Sequence, residues 1–287
     1  MAGSVGLNEC CEHSVAGTDF LAFDKVESGA MDYDGGEWKE NIGIGGQVAG
    51  YRDMVTPVGN VSTMLQSATL LAHLKPATVG ALPAIIEKIQ GGVAVTTDGS
   101  RLHEDCYIRT WKFSCAKGGV VMADYSWGAL SETEKQTIAS PVTKQTAVPY
   151  VWHAETPTFG AADALSCQSW EVSGETGVTF ETSQDAKIST VQRLPEWVEP
   201  GLFAVKLTAT VRVDPAISMI ADWPSTYGFK VIATNGTGTF TIDMTGSNNV
   251  QMNKDPIQLV NGKNAVLYQI EGQIITNDLD ACLITLV

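Results

Sequence analysis

From Val205 to Val213 every second residue is apolar (Val205, Leu207, Ala209, Val211, Val213), with Lys206, Thr208, Thr210 and Arg212 between them. A period of two puts successive side chains on opposite faces of an extended chain, so this segment reads as a strand with one buried and one wet face. Phe240, Ile242 and Met244 alternate with Thr239, Thr241 and Asp243 in the same way, after a turn at Asn235-Gly236. Further strands are expected at 107–115, 118–127, 176–182, 228–234, 265–271 and 280–286. Helical marks are few and fall in the first half. Residues 63–74 follow Ser62 as a possible N-cap and end before Pro76, and Pro83 to Gln90 starts with a proline and stops at Gly91-Gly92. The expected class is mainly β, in sandwich or barrel-like form, with one or two short helices flanking it.

The chain also shows internal similarity. Trp111-Lys-Phe-Ser-Cys-Ala-Lys-Gly118-Gly-Val-Val121 aligns without gaps on Trp170-Glu-Val-Ser-Gly-Glu-Thr-Gly177-Val-Thr-Phe180, and each segment follows a cysteine, Cys106 or Cys167. Both read as strand, glycine turn, strand. A duplication would divide the chain into a β domain at 1–148 and a second, diverged β domain at 149–287, meeting near Ser140-Pro141 and Val148-Pro149.

Catalytic and metal signatures do not emerge. His13, His73, His103 and His153 are spread without metal-ligand spacing, and His73 on the expected helix reads as a core or boundary residue. His103 near Asp105 reads as a solvated turn pair rather than part of a triad, and Gly-x-Ser-x-Gly is missing. Gly43 to Gly50 lacks the Lys-Ser/Thr of a phosphate loop and reads as a flexible loop or bulged strand. Asp32-Tyr-Asp34-Gly-Gly-Glu37 has alternate carboxylates beside glycine, as calcium loops do, but lacks the distal bidentate Glu. No cofactor is expected. The six cysteines are too sparse for a disulfide scaffold and, with no secretory signal at the start, read as reduced thiols of a protein made in a cytoplasm.

Charge narrows the partners. The chain has 18 Lys and Arg against 32 Asp and Glu, a net of −14, and no basic run for gripping phosphates or an anionic membrane surface. No stretch approaches the ~18 apolar residues of a membrane helix. Nine carboxylates from Glu9 to Glu40 stand against Lys25 and Lys39, so this segment alone carries −7. It reads as a solvated, partly mobile arm.

The order of elements carries a resemblance. An acidic N-terminal segment leads to a middle expected to carry helix, then to Cys106-Tyr-Ile-Arg-Thr-Trp-Lys-Phe-Ser-Cys-Ala-Lys-Gly-Gly-Val-Val-Met-Ala-Asp-Tyr-Ser-Trp-Gly128. Leu165-Ser-Cys-Gln-Ser-Trp-Glu-Val-Ser-Gly and Leu194-Pro-Glu-Trp-Val-Glu-Pro-Gly201 come next, leading into the strand from Leu202 to Asp214. Over about residues 100–215 this resembles the major tail tube proteins of long-tailed bacteriophages. The resemblance implies a structural virion protein, not an enzyme, whose sheets join laterally into rings that stack as a hollow tube for DNA. It also implies the tape measure and the tail initiator and terminator proteins as partners, and assembly in the host cytoplasm. Six single-unit chains, or three duplicated ones in a pseudo-hexamer, would close a ring. An acidic wall would repel DNA rather than hold it. Asp32, Asp34, Glu37 and Glu40 are the candidates for the channel wall or for a ring-stacking loop, within a segment, 9–60, that could order only on docking. The competing readings are a capsid decoration or adhesin-like β module, a β-sandwich carbohydrate-active enzyme using two carboxylates, and a ligand-binding protein that uses its tryptophans.

Overall fold

The computed structural model describes residues 9–14, 21–22, 26–35, 38–42, 48–52, 54–66, 70–75, 84–91, 94–95, 101–134, 147–152, 155–159, 162–164, 167–182, 194–212, 226–245, 250–254, 257–258, 267–276 and 283–286. Thirteen of its strands, in chain order, are β1 (Val26–Gly35), β2 (Val55–Met64), β3 (Arg101–Ala116), β4 (Met122–Glu134), β5 (Glu155–Phe159), β6 (Cys167–Glu175), β7 (Thr179–Glu181), β8 (Trp197–Glu199), β9 (Phe203–Arg212), β10 (Phe229–Thr234), β11 (Thr239–Asp243), β12 (Leu267–Thr276) and β13 (Leu283–Leu286). The protein is mainly β and its sheets are antiparallel. The principal sheet runs β1-β2-β4-β3-β6-β9-β12, a second runs β5-β10-β11-β13, and β7 pairs with β8 in a separate two-stranded arm.

The alternating segments form the strands that their period implies. Val205, Leu207 and Ala209 of β9 are buried, while Lys206 is exposed between them. Phe240 and Ile242 of β11 are buried in the same manner, and Met244 beyond its end is buried too. At the β10–β11 turn Gly236 has φ +87, and the Asn235 side-chain oxygen accepts from the Thr237 and Gly238 amides. The two sheets bury their apolar faces in one cluster. Phe113 of β3 lies 5.3 Å from Phe240 of β11, ring centre to ring centre, and 5.5 Å from Trp111. Residues from both sides of position 148 contribute to this cluster. Tyr150 is buried in it, accepting from the Val121 amide and donating to the Leu65 carbonyl.

The expected helices are not formed. Of residues 63–74, Thr63 and Met64 finish β2, and a single 3₁₀ turn comes after them at Leu71–His73; Ser67, Ala68 and Thr69 lie outside the described residues. Ala84–Gly91 is a strand, paired with Glu9–Ser14 on one side and with β3 on the other. Short apolar runs do not distinguish helix from strand by period alone, and β-branched Ile85, Ile86 and Ile89 favour the strand once a sheet edge is available. The acidic arm is likewise partly sheet, because β1 pairs along its length with β2. Met31 and Tyr33 alternate there with Asp32 and Asp34, a period-two signal hidden by the density of charge.

Candidate functional site: the polar face of the principal sheet

Directly opposed residues of neighbouring strands share a face, so the pairing registers trace rows across the sheet. One row runs from Ser62 (β2) through Asp124 (β4), Lys112 (β3), Ser173 (β6) and Lys206 (β9) to Gln273 (β12). The next begins Asn60, Ser126, Thr110, Glu175. These are the positions between the core residues, so the face opposite the aromatic core is paved with hydroxyls, amides and charges. Lys112 is its best-connected member. Its Nζ lies 2.9 Å from Asp124 Oδ2 and 3.8 Å from Glu171 Oε2, while Asp124 Oδ1 accepts from Ser62 Oγ. The hydrogen bond to Asp124 raises the Lys112 pKa, against a smaller desolvation effect that lowers it, and the carboxylate charges of Asp124 and Glu171 reinforce the rise. Thr110 and Ser126 hydroxyls lie 2.6 Å apart across the β3–β4 pair.

The face is concave. Arg109 Nη1 of β3 donates to Asp34 Oδ2 of β1 at 3.2 Å, although β4 and β2 lie between their strands. Strands three places apart in a flat sheet are separated by roughly 14 Å, close to the full reach of an Arg and an Asp together, so the contact is favoured where the sheet curls toward this face. Local causes of the curl are visible. The β3–β4 register shifts by one residue at Arg109, a β-bulge, and bulges bend the strand that carries them. Thr176, fully buried, stabilises the bulge: its hydroxyl donates to the Ile108 carbonyl at 2.7 Å and its amide to the Arg109 carbonyl at 3.0 Å. At one end of the trough Phe180 of the β7–β8 arm lies over Gly128, where a Cβ would stand 2.5 Å from its ring, and meets Tyr107 edge-on at 6.2 Å. What remains open is a groove of about 450 Å³ floored by both rows, from Asn60 and Ser62 to Lys206.

Two tryptophans brace the sheet from the core side. Trp111 stands opposite Gly174 and Trp127 opposite Gly59, and in each case a Cβ on the glycine would overlap the indole. The Trp111 indole donates to the Leu74 carbonyl at 3.0 Å. That of Trp127 donates to His103 Nδ1 at 3.1 Å. His103 is therefore not a solvated turn partner of Asp105; it is fully buried, just before Asp105, whose left-handed backbone (φ +52) interrupts the alternation of β3. Burial, and secondarily the Arg101 guanidinium, push its pKa down to about 4. With Nδ1 accepting, the neutral ring carries its proton on Nε2, which faces Glu132 Oε1 at 3.9 Å. His73 is buried, as a core or boundary residue should be, though on a 3₁₀ turn rather than an α-helix.

The nominated carboxylates separate. Asp32 and Asp34 are exposed on β1, opposite Val58 and Thr56, and the register puts them on the same face as Asn60 and Ser62. Glu40 pairs with Gly50 in the two-stranded ribbon Trp38–Ile42 and Val48–Arg52, off the principal sheet. Glu37 lies outside the described residues, as do Gly43 to Gln47 of the glycine-rich stretch. The polar face brings in residues that the sequence did not single out, namely Lys112, Asp124, Glu171 and Glu175. The signal was present in their alternation with core positions, but only strand pairing tells which alternating residues become neighbours. Cys106, Cys115 and Cys167 are buried and in no disulfide. Among the described residues no three His, Cys, Asp or Glu side chains converge as metal ligands would. No known protein family matches the chain, and no curated protein is significantly similar to it.

Proposed function

We propose that this chain is a structural virion protein that polymerises as stacked rings into a hollow tail tube, with the polar face of the principal sheet turned toward the channel. The observation that carries the reading is that this face is both the concave and the hydrophilic one. A wall made of curved sheets joined side by side has its concave face inside, and the apolar core then lies behind it, away from the channel. The face is also suited to a passing polyanion. Lys112 and Lys206 share it with Asp124, Glu171, Glu175 and Glu271, so these two cations are interspersed with carboxylates. In this reading Asp32 and Asp34 belong to the wall, and Glu37 and Glu40 to a contact between rings. The tape measure and the tail initiator and terminator proteins are the expected partners.

The similar segments around Trp111 and Trp170 bear on how many chains close a ring. We read them as diverged copies, both with a left-handed glycine at the matching position, Gly118 at φ +81 and Gly177 at φ +66. β3 and β6 pair antiparallel, and the equivalent residues Phe113 and Val172 face each other directly. The copies are thus related by a local two-fold axis through the sheet. Rotation about a channel axis keeps equivalent strands running in the same sense, which this joint does not. The arrangement favours one wall unit per chain and six chains per ring over three pseudo-duplicated ones.

Electron microscopy of the purified protein at high concentration, with and without tail initiator proteins, is the test. Rings or tubes of uniform width with six-fold averages are expected. Protein that stays monomeric under both conditions overturns the proposal. Within assembled tails, reversing the wall residues Asp32 and Asp34 to Lys should impair DNA ejection at unchanged tube length.

A further inference from the structure

Lys112 and Lys206 stand in the same row of the polar face, separated by Ser173 on β6, which puts their strands roughly 10 Å apart. Their surroundings differ. Lys112 is opposite Asp124, whose second oxygen is fixed by Ser62, and it also reaches Glu171 across the β3–β6 pair. Lys206 is opposite Ser173 and Gln273, with carboxylates only at diagonal positions. Asp124 is thus held from both sides in one geometry, so its charge stays on the ammonium rather than sampling solvent.

We propose that Asp124 and Glu171 mask Lys112, keeping the polar face from binding the phosphate backbone of double-stranded DNA. The inference rests on the channel-wall reading and deepens it by assigning named residues to the low adhesion such a wall requires. Asp124 is the positioning residue: it holds the ammonium against the sheet and meets no phosphate itself. Glu171 adds a second negative charge within reach. Were both neutralised, Lys112 and Lys206 would present a pair of cations on a concave surface, the arrangement that gains from releasing counterions.

The test uses the unassembled full-length chain on immobilised double-stranded DNA, eluted over a series of salt concentrations. D124N/E171Q preserves side-chain shape and should be retained to higher salt than the wild type, with a log–log salt slope steeper by about one. Adding K112M to that variant should return retention to the wild-type level. E181Q/E199Q, which removes as much negative charge from the β7–β8 arm, should leave retention unchanged. Equal retention of D124N/E171Q and wild type overturns the mask, as does a gain that survives K112M or is matched by E181Q/E199Q. Because no ring is needed, these outcomes are independent of the microscopy: a chain that never forms rings loses the tube, whatever its Lys112 does.

Discussion

Trp111 to Val121 and Trp170 to Phe180 match in sequence and both pass through a left-handed glycine, yet their second strands go to different places. After Gly118 the chain folds back and β4 pairs with β3 as a hairpin. After Gly177 the chain leaves the sheet, and β7 pairs with β8 instead of returning along β6. The difference is visible at the glycines. A Cβ on Gly118 would meet nothing within 4 Å, so only its positive φ demands glycine. A Cβ on Gly177 would stand 2.7 Å from the Leu202 carbonyl oxygen, and one on Gly201 would overlap the Gly177 carbonyl. One site is constrained by its own turn, the other also by a second backbone packed on it. Similar local sequence therefore yields the same turn residue but leaves the partner of the next strand to the rest of the fold.

If that contrast is correct, substitution should separate the two sites. Gly177→Ala combines left-handed strain with overpacking against fixed backbone and should cost on the order of 3 kcal/mol, against about 1 kcal/mol for Gly118→Ala. Urea midpoints at unchanged m-value would show it, and equal losses would erase the distinction.

The first segment's strand also carries a titratable anchor, His103. The folded protein holds the ring neutral to about pH 4, whereas in the unfolded chain it protonates near the ordinary 6.5. The unfolded state therefore binds more protons between these values, and stability falls as pH drops from about 6.5 toward 4, by up to roughly 3 kcal/mol from this group. His103→Asn leaves an acceptor for Trp127, and the loss measured over that window should shrink accordingly; an unchanged pH profile would show that His103 is not responsible.

Across the joint between the two segments, Gly174→Ala should force the Trp111 ring aside, costing about 1–3 kcal/mol and shifting Trp111 fluorescence. A cost near zero would mean that the indole has room to move. The smallest effect is expected at the Arg109–Asp34 pair. Asp34 is 62% exposed and Arg109 41%, so Asp34→Asn should change stability by less than about 1 kcal/mol. A larger loss would make the clasp a cause of the sheet's curvature rather than a sign of it.

Much of the fold was legible before any coordinates. The alternation at 205–210 and 239–244 specified strands and their buried faces, because a period of two has one meaning in an extended chain. The turns at Gly118, Gly177 and Asn235-Gly236 were legible because left-handed backbone selects few residues. Residues 84–91 were not, since a short run of isoleucine and alanine suits a helix or a strand until a pairing edge settles it. The candidate site was half legible. Asp32 and Asp34 stood out by charge density, whereas Asp124, Glu171 and Lys112 looked like ordinary wet-face residues on three separate strands.

The sequence by itself determined that this chain builds antiparallel sheets with one apolar face, carries a large negative charge and contains no run of basic residues. Tertiary structure alone decided which strands became neighbours. It placed β6 beside β3, set Lys112 against Asp124, buried His103 against Trp127 and brought Arg109 to Asp34 across two intervening strands. The reason is physical. Periodicity is a property of each strand, fixed by backbone geometry over a few residues, whereas register and curvature come from packing side chains that lie tens of residues apart, and no local pattern encodes them.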